Sequence, residues 1–192
     1  MRAEGLDVRP LPQPAGQEMF NEVFLDAVFV PDELASVGEV GQGWEAARTT
    51  LANERVSMGS GSSMGPGVEV LLDLAVRTGR LDDPLVRDEI GSVLADAQSL
   101  AVMGLRMTLR ALAGAEPGSE SSVRKLLGVL HDQRVQEVGL ELLGAEGAVE
   151  EDESAMWIGG FLGNRSLSIA GGTSEIQRNV IAERLLGLPR DP

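Results

Sequence analysis

The residues of this chain that invite chemistry begin with a carboxylate on an apolar helix face. Trp44, Ala47, Leu51 and Met58 recur at the spacing of one face. Glu54 fills the turn that this stripe skips, three residues after Leu51 and four before Met58. Burial raises a carboxyl pKa toward the range of a general base. The alternative is a structural ion pair with Arg55 or with a cation on a neighbouring helix. The second feature is Ala170-Gly171-Gly172-Thr173-Ser174. A Gly-Gly turn leading into a capped helix start presents free N–H groups, a place for a phosphate or an oxyanion. An ordinary loop before a helix has the same look. Leu143-Gly144-Ala145-Glu146-Gly147 is either a close backbone approach or a simple C-cap turn. His131 sits beside an apolar stripe and reads as a satisfied core or interface histidine. The acidic run Glu150 to Glu153 reads as a solvated turn.

Composition removes much else. The 192 residues contain no cysteine and one histidine. Thiol nucleophiles, disulfides, Fe–S ligation, Cys-type zinc sites and His-cluster metal sites are therefore excluded. Sixteen basic against thirty acidic residues give a net charge of −14. Nucleic-acid binders draw affinity from phosphate neutralisation, so this balance argues against one. It argues equally against a membrane-surface helix. No apolar run reaches the roughly 18 residues of a membrane span. The first residues lack the apolar core of a signal peptide, and the expectation is a cytoplasmic protein. Lys125 is the sole lysine.

The elements that must position these residues fall into two parts. Leu6 to Leu11 and Glu22 to Val30 are rich in β-branched and aromatic residues and read as two strands, closed by Pro31. Two strands alone do not make a stable sheet. From Gly41 onward the period is helical. One helix carries Trp44 to Met58. A long one runs from about Asp83 to Ala113, with Pro84 in its first turn and Val86, Ile90, Val93, Ala97, Leu100, Gly104, Thr108 and Leu112 on one stripe. Gly114 to Ser119 is a loop. A third helix fits Glu120 to Leu143, with Val123, Leu127, Leu130 and Val138 facing inward. A shorter one fits Ser154 to Arg165. The last opens with Ser174-Glu175-Ile176-Gln177, which reads as a capping box, and stops at Gly187 before Pro189. The expected fold is all-α, a four- to five-helix up-down bundle with a short N-terminal β stub. Its expected division is 1–34 for the β remnant and 35–192 for the bundle.

At four stretches the chain resembles the C-terminal half of acyl-CoA dehydrogenases of actinobacterial type. Phe20 to Pro31 is similar to the closing strands of the family's middle β domain. Gly38-Glu39-Val40-Gly41-Gln42-Gly43-Trp44 through Asn53-Glu54-Arg55 is similar to the start of its C-terminal bundle. Leu143 to Gly147 resembles its Gly-rich flavin-contact turn. Ser168 to Arg178, with Leu186-Gly187-Leu188-Pro189, resembles its terminal signature. The resemblance implies FAD as cofactor and an acyl-CoA substrate oxidised to a 2-enoyl-CoA in fatty-acid or steroid side-chain breakdown. It also implies electron-transfer flavoprotein as acceptor. Many members keep a catalytic glutamate at the position of Gly171. Others keep it on the first bundle helix, where Glu54 stands, followed by Arg55. The backbone N–H of Gly171 is then the group that polarises the thioester. The resemblance further implies flavin contacts from Gly144, Gly147, Thr173, Ser174 and Glu175. The family's Arg-x-x-Phe-Gly segment is replaced by Arg77 to Pro84, leaving Arg77 and Arg80 as phosphate contacts.

The family's N-terminal helical domain and most of its β domain lie outside these 192 residues, so the isolated chain is expected to be inactive. The alternative reading is a non-catalytic assembly subunit of a mixed oligomer. The family assembles through these helices, and an uncovered apolar face promotes association. The expectation is therefore a homo-oligomer or mixed oligomer. Light scattering should find the chain associated at micromolar concentration; a clean monomer there would contradict this.

Overall fold

The structure is a computed structural model that describes residues 3–35, 38–59, 64–115 and 118–190, with only the backbone of 52–59. It consists of two compact units, residues 1–53 and 54–192.

In the first unit, β1 (Leu6–Leu11) pairs antiparallel with β2 (Phe20–Leu25), Leu6 opposite Leu25 and Leu11 opposite Phe20. Gly5 closes the hairpin's open end at φ +82°, its carbonyl accepting from the Asp26 N–H at 2.8 Å. A Cβ there would stand 2.0 Å from the Asp26 carbonyl oxygen, so glycine is required by space as well as by φ. The Arg9 guanidinium lies over the Phe24 ring at 4.6 Å and pairs with Asp7. A short helix, α1 (Asp32–Ala35), follows.

Next comes α2 (Gly43–Gly59), within which the border between the units falls. The apolar stripe expected on this helix is not buried. Trp44 is 74% exposed and Leu51 is 45% exposed. Burial of the stripe therefore has to be withdrawn for these residues. Helical period requires only that apolar residues share a face and does not by itself bury that face. The side chains of Met58 and Glu54 lie outside the described residues.

The second unit is the helical bundle: α3 (Val68–Arg77), α4 (Pro84–Leu112), α5 (Glu120–Leu143), α6 (Asp152–Gly163) and α7 (Ser174–Val180). The mostly helical architecture with a two-stranded N-terminal hairpin is the expected one. The sequence reading did not include α3, although its Leu71, Leu74 and Ala75 are among the most buried residues of the molecule. The core joins these to Ile90 and Val93 of α4, Val135, Val138 and Leu142 of α5, and Trp157 of α6.

The start of α4 is as its sequence dictates. Asp83 caps it by accepting from the Leu85 N–H at 2.8 Å, and Pro84 takes the first turn, where its missing N–H costs nothing. Its stripe, however, is buried only in the first half; Thr108 and Leu112 are exposed. The α5 stripe differs more. Val138 is buried and Val123 half-buried, but Leu127 and Leu130 are exposed. The buried residues of α5 include Ser122, Val129, Asp132, Val135, Gln136 and Gly139. This helix packs against α3, α4, α6 and α7, so it has no single apolar face.

Gly139 sets the approach of α5 to α6. A Cβ at this position would stand 2.1 Å from the Trp157 ring, which is wholly buried. Overpacking of this kind costs about 1–3 kcal/mol. Gly139→Ala is expected to lower the unfolding free energy of the bundle by about that amount, read as a shift of the urea midpoint at unchanged slope. An unchanged midpoint would mean that the helices separate freely.

Candidate functional site

The segment between α6 and α7 is irregular, and α5 holds it by a row of polar side chains. Gln133 donates to the Asn164 carbonyl at 3.3 Å and to the Ser168 hydroxyl at 2.9 Å. Asn164, fully buried, donates to the Asp132 carboxylate at 3.0 Å. One turn further, Gln136 donates to the Pro66 carbonyl at 2.8 Å. Near the other end of α5, Lys125 donates to the Gly172 carbonyl at 2.8 Å. Burial pushes the Lys125 ammonium below the usual lysine range, and the Glu175 carboxylate opposes that shift.

The Gly-Gly turn is therefore pinned at several atoms. Gly171 and Gly172 have φ +65° and +99°, conformations that favour glycine. The Gly172 N–H donates to the Ile169 carbonyl at 3.2 Å. The Gln177 amide donates to the Gly171 carbonyl at 3.0 Å and reaches the Gly172 carbonyl at 3.3 Å. Gly171 is buried, and its N–H donates to no acceptor among the described residues. A buried N–H without an acceptor is rare in folded proteins.

The cap of α7 lies one residue earlier than its sequence suggested. Thr173, not Ser174, is the N-cap, its Oγ1 accepting from the Ile176 N–H at 3.3 Å. Gln177 does not complete a capping box; it turns back to the glycine carbonyls. Propensity allows both Ser and Thr at a cap and slightly favours Ser, so it is the pinned turn that places the cap at Thr173. The helix has only seven residues. What the turn offers is the Gly171 N–H more than a helix dipole. The Glu175 carboxyl is held below its ordinary range by its own N–H and by the Thr173 hydroxyl.

The remaining candidates are spread over other parts of the bundle. Gly144 ends α5 at φ +59°, its N–H donating to the carbonyls of Leu140 and Glu141. Gly147 lies in the short turn after it, where a Cβ would stand 2.9 Å from the Leu140 carbonyl oxygen. The C-cap reading of this segment therefore describes its local structure. Arg77 is engaged: its guanidinium makes two hydrogen bonds to the Glu153 carboxylate. Glu153 is thus not part of a solvated turn. Glu151 and Ser154 cap α6 reciprocally, Glu153 lies in its first turn, and the pair with Arg77 ties α6 to the end of α3. Arg80 is exposed and lines a cleft of about 230 Å³ between α4 and α5 together with Glu89 and Glu141. Two carboxylates beside it make that cleft a poor phosphate site. His131 is half-buried but not satisfied as expected: its Nδ1 is buried with no hydrogen-bond partner among the described residues, and burial pushes its pKa down while Asp96 and Asp132 push it up. Among the described residues there is no acidic or histidine cluster able to hold a metal ion. No described helix is long and apolar enough to cross a membrane.

Sequence reasoning missed Lys125, Gln133 and the role of Gln177. A signal existed: Lys125, Asp132, Gln133 and Gln136 recur at helical spacing on the most central helix.

An all-α bundle with a pinned Gly-Gly turn and an open N–H is an architecture with known relatives. Residues 41–186 match the family described as "Acyl-CoA dehydrogenase, C-terminal domain". The chain belongs to the acyl-CoA dehydrogenase family and corresponds to its C-terminal domain with a preceding hairpin. It is 45% identical over 191 residues to acyl-CoA dehydrogenase FadE34 of Mycobacterium tuberculosis, covering 99% of this chain and 26% of that protein. It is 36% identical over 190 residues to acyl-CoA dehydrogenase IpdE1 of Mycolicibacterium smegmatis, covering 97% of this chain and 47% of that protein. The chain thus spans about a quarter to a half of these relatives. Among solved structures, the Tcur3481-Tcur3483 steroid ACAD superimposes with a TM-score of 0.85 at 24% identity, over 98% of this chain and 50% of that one. The ChsE4-ChsE5 complex from Mycobacterium tuberculosis gives 0.82 at 23%, over 99% and 52%. These likenesses establish the fold.

The Arg77–Glu153 pair carries a pH dependence. Its hydrogen bonds hold the Glu153 carboxyl below the usual glutamate value. The unfolded chain then binds the proton first as pH falls, so the pair's contribution is complete above about pH 4.3, the ordinary glutamate value, and is lost as pH falls through the lower folded value. Arg77→Gln should lower the melting temperature slightly at neutral pH, since a solvated ion pair contributes little, and the difference from the wild type should close as pH falls below about 4.3. Coincident profiles at every pH would show the pair to be inert.

Proposed function

We propose that this chain is the C-terminal part of an FAD-dependent acyl-CoA dehydrogenase that oxidises an acyl-CoA thioester to a 2-enoyl-CoA, in fatty-acid or steroid side-chain breakdown. The observation that carries this reading is the buried Gly171 N–H without an acceptor among the described residues. A fixed backbone donor suits the oxygen of a thioester, on which negative charge grows as the α-proton leaves. Because a main-chain group makes that contact, the absence of a carboxylate at position 171 does not remove it.

The base in this reading is Glu54. It lies on α2, at the position where the resemblance puts a glutamate, and Gly171 holds no carboxylate that could compete. Glu54 takes the α-proton while the C–H electron pair moves toward the thioester carbonyl, and the Gly171 N–H stabilises the oxygen. FAD, when bound, supplies the acceptor for the β-hydride.

The residues fit this cofactor at their backbone groups and less well at their cations. Gly144, Gly147, Thr173 and Ser174 would offer backbone and hydroxyl contacts. The Glu175 carboxylate suits a hydroxyl or amino group better than a phosphate. Arg77 is taken by Glu153, and Arg80 shares its cleft with two carboxylates. Micromolar affinity needs about 8 kcal/mol, more than a few exposed donors provide. The isolated chain is therefore expected to leave FAD essentially unbound at micromolar concentration. A stoichiometric yellow preparation would overturn that.

Residues 1–34 are, in this reading, the end of a β domain, and the remaining residues a bundle that joins a homo- or mixed oligomer. Electron-transfer flavoprotein is the proposed acceptor and the cytoplasm the proposed location. The occupied Arg77 favours one further reading, a partner subunit that contributes interface without a complete flavin site. The similar ChsE4-ChsE5 structure is a complex of two differently named chains. In the full-length holoenzyme, Glu54→Gln is expected to abolish dehydrogenation while acyl-CoA binding is retained, because the amide keeps the shape and cannot take a proton. Turnover at the wild-type rate would sink the assignment of Glu54. Gly171→Glu is the companion variant, restoring the other base position.

A further inference from the structure

The Gly171 N–H can act on a thioester only if the two-glycine turn is held still. Glycine pairs are the least restrained backbone, and here both members sit at positive φ. The peptide between Gly171 and Gly172 is fixed at both ends, its carbonyl by Gln177 and its N–H by the Ile169 carbonyl. The next peptide is fixed at the Gly172 carbonyl by Lys125, with Gln177 at a longer distance. The Ala170 N–H donates to the Ser166 carbonyl at 3.0 Å, which anchors the chain on the other side. The open N–H of Gly171 lies between these anchors. Gln177 and Ile169 belong to the same local segment as the turn. Lys125 comes from α5, 47 residues away in sequence, and is the anchor that ties the turn to the core of the bundle.

We propose that Lys125 is a positioning residue for the reaction: by holding the Gly172 carbonyl it fixes the direction of the Gly171 N–H that receives the thioester oxygen. This rests on the reading of Gly171 given above and adds to it a residue that does not touch substrate. A cation is suited to the task. A charge-assisted hydrogen bond to a carbonyl is stronger than a neutral one and is worth more where water is partly excluded. Lys125 is half-buried, and Glu175 lies close enough to favour its charged form. Preorganised donors act because they cost no reorganisation when charge develops; a donor displaced by about 1 Å loses much of that advantage.

The test uses the full-length holoenzyme with Lys125→Met, which keeps an unbranched side chain of similar length and removes the donor, and Lys125→Arg, which keeps a cationic donor. The probe is 2-octenoyl-CoA labelled with 13C at the thioester carbonyl. In the wild type its C=O stretch should fall on binding. In Lys125→Met it should move back toward the free value, and kcat should drop about 10- to 100-fold with KM changed little. Lys125→Arg should recover most of both. Amide hydrogen exchange of residues 170–174 is read in parallel and does not depend on turnover. It should quicken in Lys125→Met with the rest of α5 and α7 unaltered.

Normal exchange in Lys125→Met overturns the proposal, as does a full carbonyl shift in that variant. A wild type that shifts no carbonyl frequency strikes instead at the role given to Gly171, while the exchange data still decide whether Lys125 holds the turn. Should Lys125→Met fail to fold, Lys125→Ala, which also removes the donor, takes its place, and the same two readouts apply.

Discussion

The bundle depends on one constraint: the irregular backbone around α6 and α7 is packed against α5, where water does not satisfy its polar groups. Unpaired buried N–H and C=O groups cost about as much as a lost hydrogen bond, so the partner helix has to supply donors and acceptors. α5 does so with Lys125 and Gln133, while its Asp132 receives the Asn164 side-chain amide and its Gln136 holds the Pro66 carbonyl ahead of α3. This explains why the most central helix of the molecule is not its most apolar one. Its buried face alternates between Val129, Val135 and Leu142, which pack, and polar residues such as Asp132 and Gln136, which hold the Asn164 side chain and the Pro66 carbonyl.

The same constraint explains the close approach of α5 and α6. Gly139 lets the Trp157 ring lie directly on the helix. With that contact in place, Asn164 at the end of α6 reaches Asp132, and the segment after it falls within range of Gln133. The Arg77–Glu153 pair fastens the opposite end of α6 to α3. Packing, ion pair and hydrogen bonds thus fix α6 at both ends. The Gly-Gly turn that follows inherits a defined position.

The first unit and the outer half of α4 are different in kind. Phe20, Phe29, Leu25 and Trp44 are exposed, and so are Val102, Leu105, Leu109 and Leu112. The chain covers about a quarter to a half of its curated relatives. Exposed apolar patches of this extent are of the kind that mark interaction surfaces.

Local sequence determined the ends of the bundle helices well. Asp83-Pro84 starts α4, Glu120 to Leu143 is helical from end to end, Gly144 stops α5 at positive φ, and Gly187, also at positive φ, follows the π-helical turn Ile181–Leu185 that continues α7, each for reasons confined to a few residues. The Gly-Gly turn and the motif around it were also legible, because glycine tolerance is a local property. Their mechanics were not. The placement of the cap at Thr173, the use of Gln177 and Lys125 as clamps, and the capture of Arg77 by Glu153 join residues up to 76 positions apart. Hydrophobic period could not say that α5 would be surrounded, or that the Trp44–Leu51 face would be left open. A stripe records which residues share a side, and only the tertiary structure decides what lies against it.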